Sequence, residues 1–298
     1  MAFFYSSGKV LLTSEYAVLA GAKALALPCK KGQSLSYEVK DSEILHWKSY
    51  DWNNSLWFET HFDLAKLEIT YSTDTLISKR LQQILLVARS ENSSFLSQGG
   101  FVQTNLEFHR NWGLGSSSTL IVNVANWAGI NPFLLGKKTF GGSGYDIACG
   151  LAEGPIFYTK GSDYPEIISI DFNPSFKDQL FFVYLNRKKN SQLAVQSFET
   201  SKVTSTLITS LNELTEAIAV SQELSEFEAF LIQHENLISK LLNQKTIKEE
   251  LFNEYKGAIK SLGAWGGDFI LAIGDDTSLG YFKEKGFTTI IPYREMCL

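Results

Sequence analysis

The chain has 298 residues, of which 44% are hydrophobic, 13% aromatic and 20% charged, with a formal net charge of -5 from 27 basic and 32 acidic side chains. That length suits two domains or one large one, and the apolar share excludes an intrinsically disordered chain. The acidic balance lacks the basic stripe of a nucleic-acid binder, and the short basic spots at Lys30-Lys31, Lys137-Lys138 and Arg187-Lys188-Lys189 suit one or two phosphates better than a polymer.

In chain order, residues 3–12 read as a strand containing glycine and serine, and Glu15 to Ala20 as a short apolar run ending at Gly21. Strands are predicted at 24–28, 33–39, 43–49, 55–59 and 66–71, where Trp47, Tyr50, Trp52 and Trp57 alternate with polar residues as in antiparallel sheet. Helical spacing over 74–91 carries Leu76, Ile77, Leu81, Ile84, Leu85 and Ala88 on one side, with Asp74 placed to cap it. A strand at 100–108 leads into a glycine-serine loop and an apolar run from Leu120 to Ala128, and a second glycine-rich turn occupies 141–151. Strands follow at 155–160, 166–171 and 180–185. Helices are predicted at 191–199, 203–220, 224–242 and 246–261. A glycine turn at 263–267, a strand at 268–273, a helix near 276–285 and a strand at 287–291 complete the pattern. Composition shifts near 175, and the boundary is expected near 155–175, giving domains at 1–160 and 161–298.

The three cysteines, Cys29, Cys149 and Cys297, are far apart and form no C-x-x-C pair, which argues against a disulfide framework or zinc site and for a reducing compartment. The opening stretch lacks the basic start of a signal peptide, and no apolar run approaches a membrane span. A cytoplasmic protein without membrane or nucleic-acid partners is the expectation, as a monomer or homodimer.

Trp112-Gly113-Leu114-Gly115-Ser116-Ser117-Ser118-Thr119 is the most informative segment. Its glycines let backbone approach a ligand closely. The free N–H groups and dipole of the helix that follows form an anion site, and serine hydroxyls can donate to phosphate or sit on magnesium. It has no Walker lysine. A plain capped helix after a glycine turn is the alternative.

Lys9 sits in an apolar strand, and Asp146 sits among glycines and apolar residues in Gly141–Gly150. Both are expensive places for a charge. Pairing the two would offset both costs and place a carboxylate to orient or deprotonate an acceptor oxygen. A structural ion pair or two unrelated charges remain open. Glu15 either holds the nucleotide loop or caps local N–H groups. In the third turn, a helix cap explains one glycine and leaves Gly266-Gly267 over, which would allow close backbone approach to a substrate phosphate.

Together and in order, SSGKVLLTSEYAVLAG (6–21), WGLGSSST (112–119), GGSGYDIACG (141–150) and LGAWGGDFILA (262–272) resemble the motifs of the GHMP kinase superfamily. The likeness spans Ser7 to about Ala272. Glu15-Tyr16-Ala17-Val18 and Gly266-Gly267-Asp268 look most like its phosphomevalonate kinase branch. The resemblance implies an α+β, two-domain fold, the N-terminal domain ribosomal-protein-S5-like and the C-terminal one ferredoxin-like with several helices. It implies ATP and Mg2+ as cofactors and a small-molecule acceptor, phosphorylated or carboxylated. Lys9 would lie near the transferred phosphoryl group and Asp146 would be the carboxylate that orients the acceptor. Gly113, Leu114, Gly115, Ser116, Ser117 and Ser118 would hold the nucleotide, with Ser117 also on the metal and Glu15 the acid of the first motif. Arg187, Lys188, Ser191, Gly263, Ala264, Gly266 and Gly267 would face the substrate.

This sequence departs from the pattern at Ser7, Ser14 and Trp265, where proline, glycine and glycine are usual. Trp265 is expected to add bulk beside the phosphate site. Three readings stay open: a phosphomevalonate kinase, a mevalonate kinase or other relative acting on a hydroxyl, and a non-catalytic ligand-binding relative.

Overall fold

A computed structural model describes residues 1–298 except Asn190 and Asp276, and except the side chains of Ser191 and Gln192. The structure is mixed α+β, and by compactness it divides into two units whose segments alternate along the chain. Met1–Gly8, Lys31–Arg110 and Leu114–Leu151 form the first; Lys9–Lys30, Asn111–Gly113 and Ala152–Leu298 form the second.

Strands β1 (Ala2–Leu11) and β2 (Ala24–Val39) pair with each other and run through both units. The segments 24–28 and 33–39, expected as separate strands, are one continuous strand. In the first unit, the later half of β2 pairs with a sheet of β3 (Ile44–Tyr50), β4 (Leu56–Asp63), β5 (Ile69–Ser72) and, after helix α1 (Thr75–Glu91), β6 (Gly100–Leu106). The order is β5-β4-β3-β6-β2, with β3 and β6 parallel and the other pairs antiparallel. Asp74 caps α1 as expected, accepting from the Leu76 and Ile77 amides. Helices α2 (Ser116–Ala128), α3 (Pro132–Thr139) and α4 (Tyr145–Leu151) follow. The sequence reading lacked α3; its start is set by Asn131, which accepts from Phe133 and Leu134 amides, and by Pro132 in the first turn. One core joins Trp47, Phe58 and Phe62 of the sheet to Leu81 and Leu85 of α1 and Ile121 and Val124 of α2.

In the second unit, the first residues of β2 pair with β7 (Ile156–Thr159), which pairs with β8 (Glu166–Ser169). Then come β9 (Leu180–Tyr184), α5 (Ser191–Gln196), α6 (Ser205–Val220), α7 (Leu224–Leu242), α8 (Ile247–Leu251), β10 (Ile259–Ser261), β11 (Phe269–Ile273), α9 (Ser278–Glu284), β12 (Ile290–Pro292) and α10 (Tyr293–Met296). An antiparallel sheet runs β10-β11-β9-β12. The expected helix over 246–261 is corrected to the short α8 and then β10. A capping box between Thr246 and Glu249 starts α8, and pairing with β11 draws 259–261 into the sheet. Among the described residues, no helix is long and apolar enough to cross a membrane.

Candidate active site

In the first unit, the glycine-serine loop is positioned by close packing at Gly8. A side-chain carbon there would lie 2.9 Å from the Leu114 carbonyl and 3.0 Å from that of Lys31, so only glycine fits. Gly115 then takes a left-handed conformation, φ 91°, and α2 begins at Ser116 with no side chain capping its first turn. The hydroxyls of Ser118 and Thr119 turn inward, to the Gly115 carbonyl at 2.9 Å and to Gln33 at 2.7 Å. Ser117 is exposed and Ser116 half-buried. The result is a 13-residue helix whose uncapped amides and first two hydroxyls are available to an anion. Leu114 is buried and contributes backbone and packing rather than side-chain contact. Asp146 stands in the first turn of α4, half-buried, and its Oδ1 accepts the Ile147 amide at 3.1 Å.

In the second unit, Asp268 gathers cations from remote parts of the chain. Lys9 on β1 and Lys188 and Lys189 beyond β9 all lie within electrostatic range of its carboxylate, and the Lys189 amide donates to it at 3.1 Å. Burial pushes the Asp268 carboxyl up, and those donors and charges pull it down. Burial outweighs them, and the Asp268 carboxyl ends above its ordinary value. Gly113 meets the same carboxylate: a side-chain carbon at Gly113, φ 69°, would lie 2.2 Å from Asp268 Oδ2. The turn before it is pinned by the Tyr184 hydroxyl, which donates to the Asn111 carbonyl at 3.2 Å, and by Trp112 edge-on to Phe269 at 5.5 Å. Asp268 was absent from the expected site residues; its signal was a charge directly after a glycine pair and before an apolar strand.

The remaining expected positions sort by what they touch. Arg187 and Lys188 are exposed, and Arg187 stands 3.6 Å from Glu250. Ser191 begins α5, and its side chain lies outside the described residues. The Ala264 carbonyl already accepts the Tyr16 hydroxyl at 2.9 Å. Gly263 has open space at its α-carbon, and Gly266 faces the Lys189 ammonium. Gly267, expected to admit substrate, is buried and closed in by the Arg187 carbonyl and Lys189 amide, so the close approach there is the protein's own backbone.

Two expectations are corrected by burial. Glu15 is fully enclosed, paired with Lys260, and so has no surface on which to meet a nucleotide. Lys260 also reaches Glu235 at 3.1 Å, while His234 Nε2 accepts the Ser14 amide at 2.8 Å and its Nδ1 lies 3.9 Å from Glu15. Burial pushes the Glu15 carboxyl up to about 7 against the pull of Lys260. Burial and Lys260 hold the His234 ring well below its ordinary value, so it stays neutral. Glu15 therefore acts from inside, tying the turn between β1 and the 3-10 turn Ala17–Ala20 to Lys260 of β10 and, through it, to Glu235 of α7.

Trp265, expected to crowd the phosphate site, is 2% exposed and packs with Ala17, Ala22, Leu211 and Ile238, with the Lys260 ammonium 5.9 Å from its ring centre. Trp265→Gly is therefore expected to destabilise rather than to widen a pocket. Loss of the indole costs about 3–5 kcal/mol, and relief of the backbone at φ 50° returns about 1 kcal/mol. Urea unfolding should show a net loss of roughly 2–4 kcal/mol; an unchanged midpoint would return Trp265 to the site.

No protein-family model matches the sequence, and no curated protein matches it. Solved structures do match. Phosphomevalonate kinase of Streptococcus pneumoniae, solved with phosphomevalonate and AMPPNP, is similar at a TM-score of 0.71 and 17% identity over 97% of this chain and 99% of that one. Mevalonate kinase of Methanococcus jannaschii is similar at 0.69 and 14%, over 97% and 96%. Galactokinase of Lactococcus lactis, complexed with galactose, is similar at 0.63 and 13%, over 95% and 87%. At these identities the likeness is one of fold.

Proposed function

Because the chain has the fold of the GHMP kinases, we propose that it is an ATP-dependent small-molecule kinase whose acceptor is a phosphorylated compound, phosphomevalonate in the first instance, which it converts to the diphosphate. The observation that carries this reading is the gathering of Lys9, Lys188 and Lys189 from remote parts of the chain around Asp268, cations of the kind that bind phosphate. In this reading the N-terminal domain, 1–160, holds ATP and the C-terminal domain, 161–298, carries residues that bind the acceptor.

The uncapped amides of α2 and the hydroxyls of Ser116 and Ser117 hold the nucleotide's phosphates, and Gly113 to Ser118 shape the turn. Magnesium, when bound, neutralises charge on the phosphate oxygens; Ser117 is the one hydroxyl exposed to ligate it, and the other ligands would be phosphate and water oxygens. Lys9 would stabilise the transferring phosphoryl group, and Asp146 would orient the acceptor. A phosphate acceptor is already ionised near neutral pH, its second pKa being about 6, so Asp146 need not act as a strong base. Lys188, Lys189 and Arg187 draw in the acceptor's own phosphate.

A coupled ADP-release screen with magnesium tests this, using phosphomevalonate, mevalonate, homoserine and free sugars. Phosphomevalonate is expected to give turnover on the order of 1–100 per second, with mass analysis showing a diphosphate that keeps its carboxylate. Turnover only with mevalonate or a sugar would move the acceptor to a hydroxyl. Binding without ADP release from any of them would sink the enzyme reading in favour of a non-catalytic relative.

A further inference from the structure

Two of the three thiols, far apart in sequence, meet in the fold of the second unit. Cys29 lies in β2 and Cys297 follows α10, and they face each other across an antiparallel bridge. The Leu298 amide donates to the Pro28 carbonyl at 3.0 Å. That bond joins the residue after Cys297 to the residue before Cys29, which makes the cysteines a non-hydrogen-bonded antiparallel pair. In such pairs the α-carbons sit about 4.5 Å apart and the side chains are close. A disulfide spans α-carbon separations of about 4.4–6.8 Å, so this register accepts one without moving the backbone. Both residues are buried, and neither is in a disulfide.

We propose that Cys29 and Cys297 form a modification site, a dithiol that a small peroxide converts to an intramolecular disulfide and that a dithiol reductant restores. One sulfur, as thiolate, attacks a peroxide oxygen; the O–O bond breaks, hydroxide leaves and a sulfenic acid forms. The second sulfur attacks the first, the S–O bond breaks, and water leaves as the S–S bond forms. The two thiols are oxidised by loss of two hydrogens, and one hydrogen peroxide is reduced to two waters. Burial pushes the Cys29 thiol up to about 12, with Lys9 pulling the other way, so little thiolate is present at neutral pH and the reaction is slow. Enclosure favours a small oxidant over a bulky disulfide, and sustained exposure over a brief pulse.

The test treats the wild-type chain with millimolar hydrogen peroxide, alkylates remaining thiols under denaturant, and maps the peptides by mass with and without dithiothreitol. A dithiothreitol-sensitive link between the Cys29 and Cys297 peptides is expected, with Cys149 still alkylated. The melting temperature of the oxidised chain should rise by about 5 °C over the reduced one; Cys297→Ala should show neither change. Any of three results overturns the assignment: both cysteines remain alkylatable, they become sulfinic or sulfonic acids without a link, or the link joins Cys149 or a second chain. None of these readouts depends on kinase activity, so they stand apart from the outcome of the ADP-release screen.

Discussion

Replacing Lys9 by methionine is expected to lower phosphoryl transfer about 10³-fold, equivalent to about 4 kcal/mol of transition-state stabilisation. Methionine keeps most of the apolar stem on β1, so the strand and its core contacts survive while the ammonium is lost. The Asp268 carboxylate then faces two lysines instead of three. ATP affinity should stay near that of the parent chain, because in the proposed reading the phosphates are held by the amides and hydroxyls of α2. Asp146→Asn is expected to lose turnover in the same way while binding ATP, since the amide keeps the shape but not the charge. The check is single-turnover kinetics beside nucleotide titration. Near-normal rates in both variants would remove the mechanism; loss of ATP binding in both would move these residues from transfer to nucleotide retention.

Lys260→Met is expected to cost about 3–5 kcal/mol of stability, because two buried carboxylates lose their one ammonium. The lysine is fully buried between Glu15 and Glu235; burial pulls its pKa down, and the two carboxylates together outweigh it and hold it above its ordinary value. The expected pH dependence follows from the proton count. Glu15 is raised from 4.5 to about 7 in the folded chain, so the folded state binds more protons than the unfolded one across that window. Stability of the parent chain therefore declines as pH rises through it. Lys260 contributes stability that is complete below its ordinary value and lost only as pH rises through its raised folded value. Without Lys260, the Glu15 carboxyl is driven further toward its protonated form, and the deficit relative to the parent should widen from pH 5 to pH 8. Urea unfolding at both pH values measures this. A deficit under about 1 kcal/mol, or one that is larger at pH 5, would contradict the role given to the buried lysine.

The glycine-serine loop was legible because its signal is local: two glycines, three serines and an apolar helical run stand next to each other. Asp74 and the helix over 224–242 were legible for the same reason. The segment 246–261 was misread because Ile247, Leu251, Tyr255 and Ile259 recur every four residues, which is helical spacing. Three of its residues pair with β11 instead, and tertiary pairing overrides so short a periodic signal. That misreading hid Lys260. A lysine in an apolar strand must find a partner, and the rule that singled out Lys9 applied there too, but a helix reading let Lys260 face solvent. Asp268, Trp265 and the Cys29–Cys297 pair depend on contacts between remote segments, for which one sequence offers no spacing to count.

Glu15 and Lys260 also set a schedule. During synthesis at roughly 5–20 residues per second, the carboxylate leaves the ribosome long before its counter-charge, which is 245 positions later. For roughly 10–50 s at those rates the nascent β1 and β2 cannot bury that acid at native strength. The amino-terminal strands must wait, solvated or held by a chaperone, until the carboxyl-terminal half arrives to close over them.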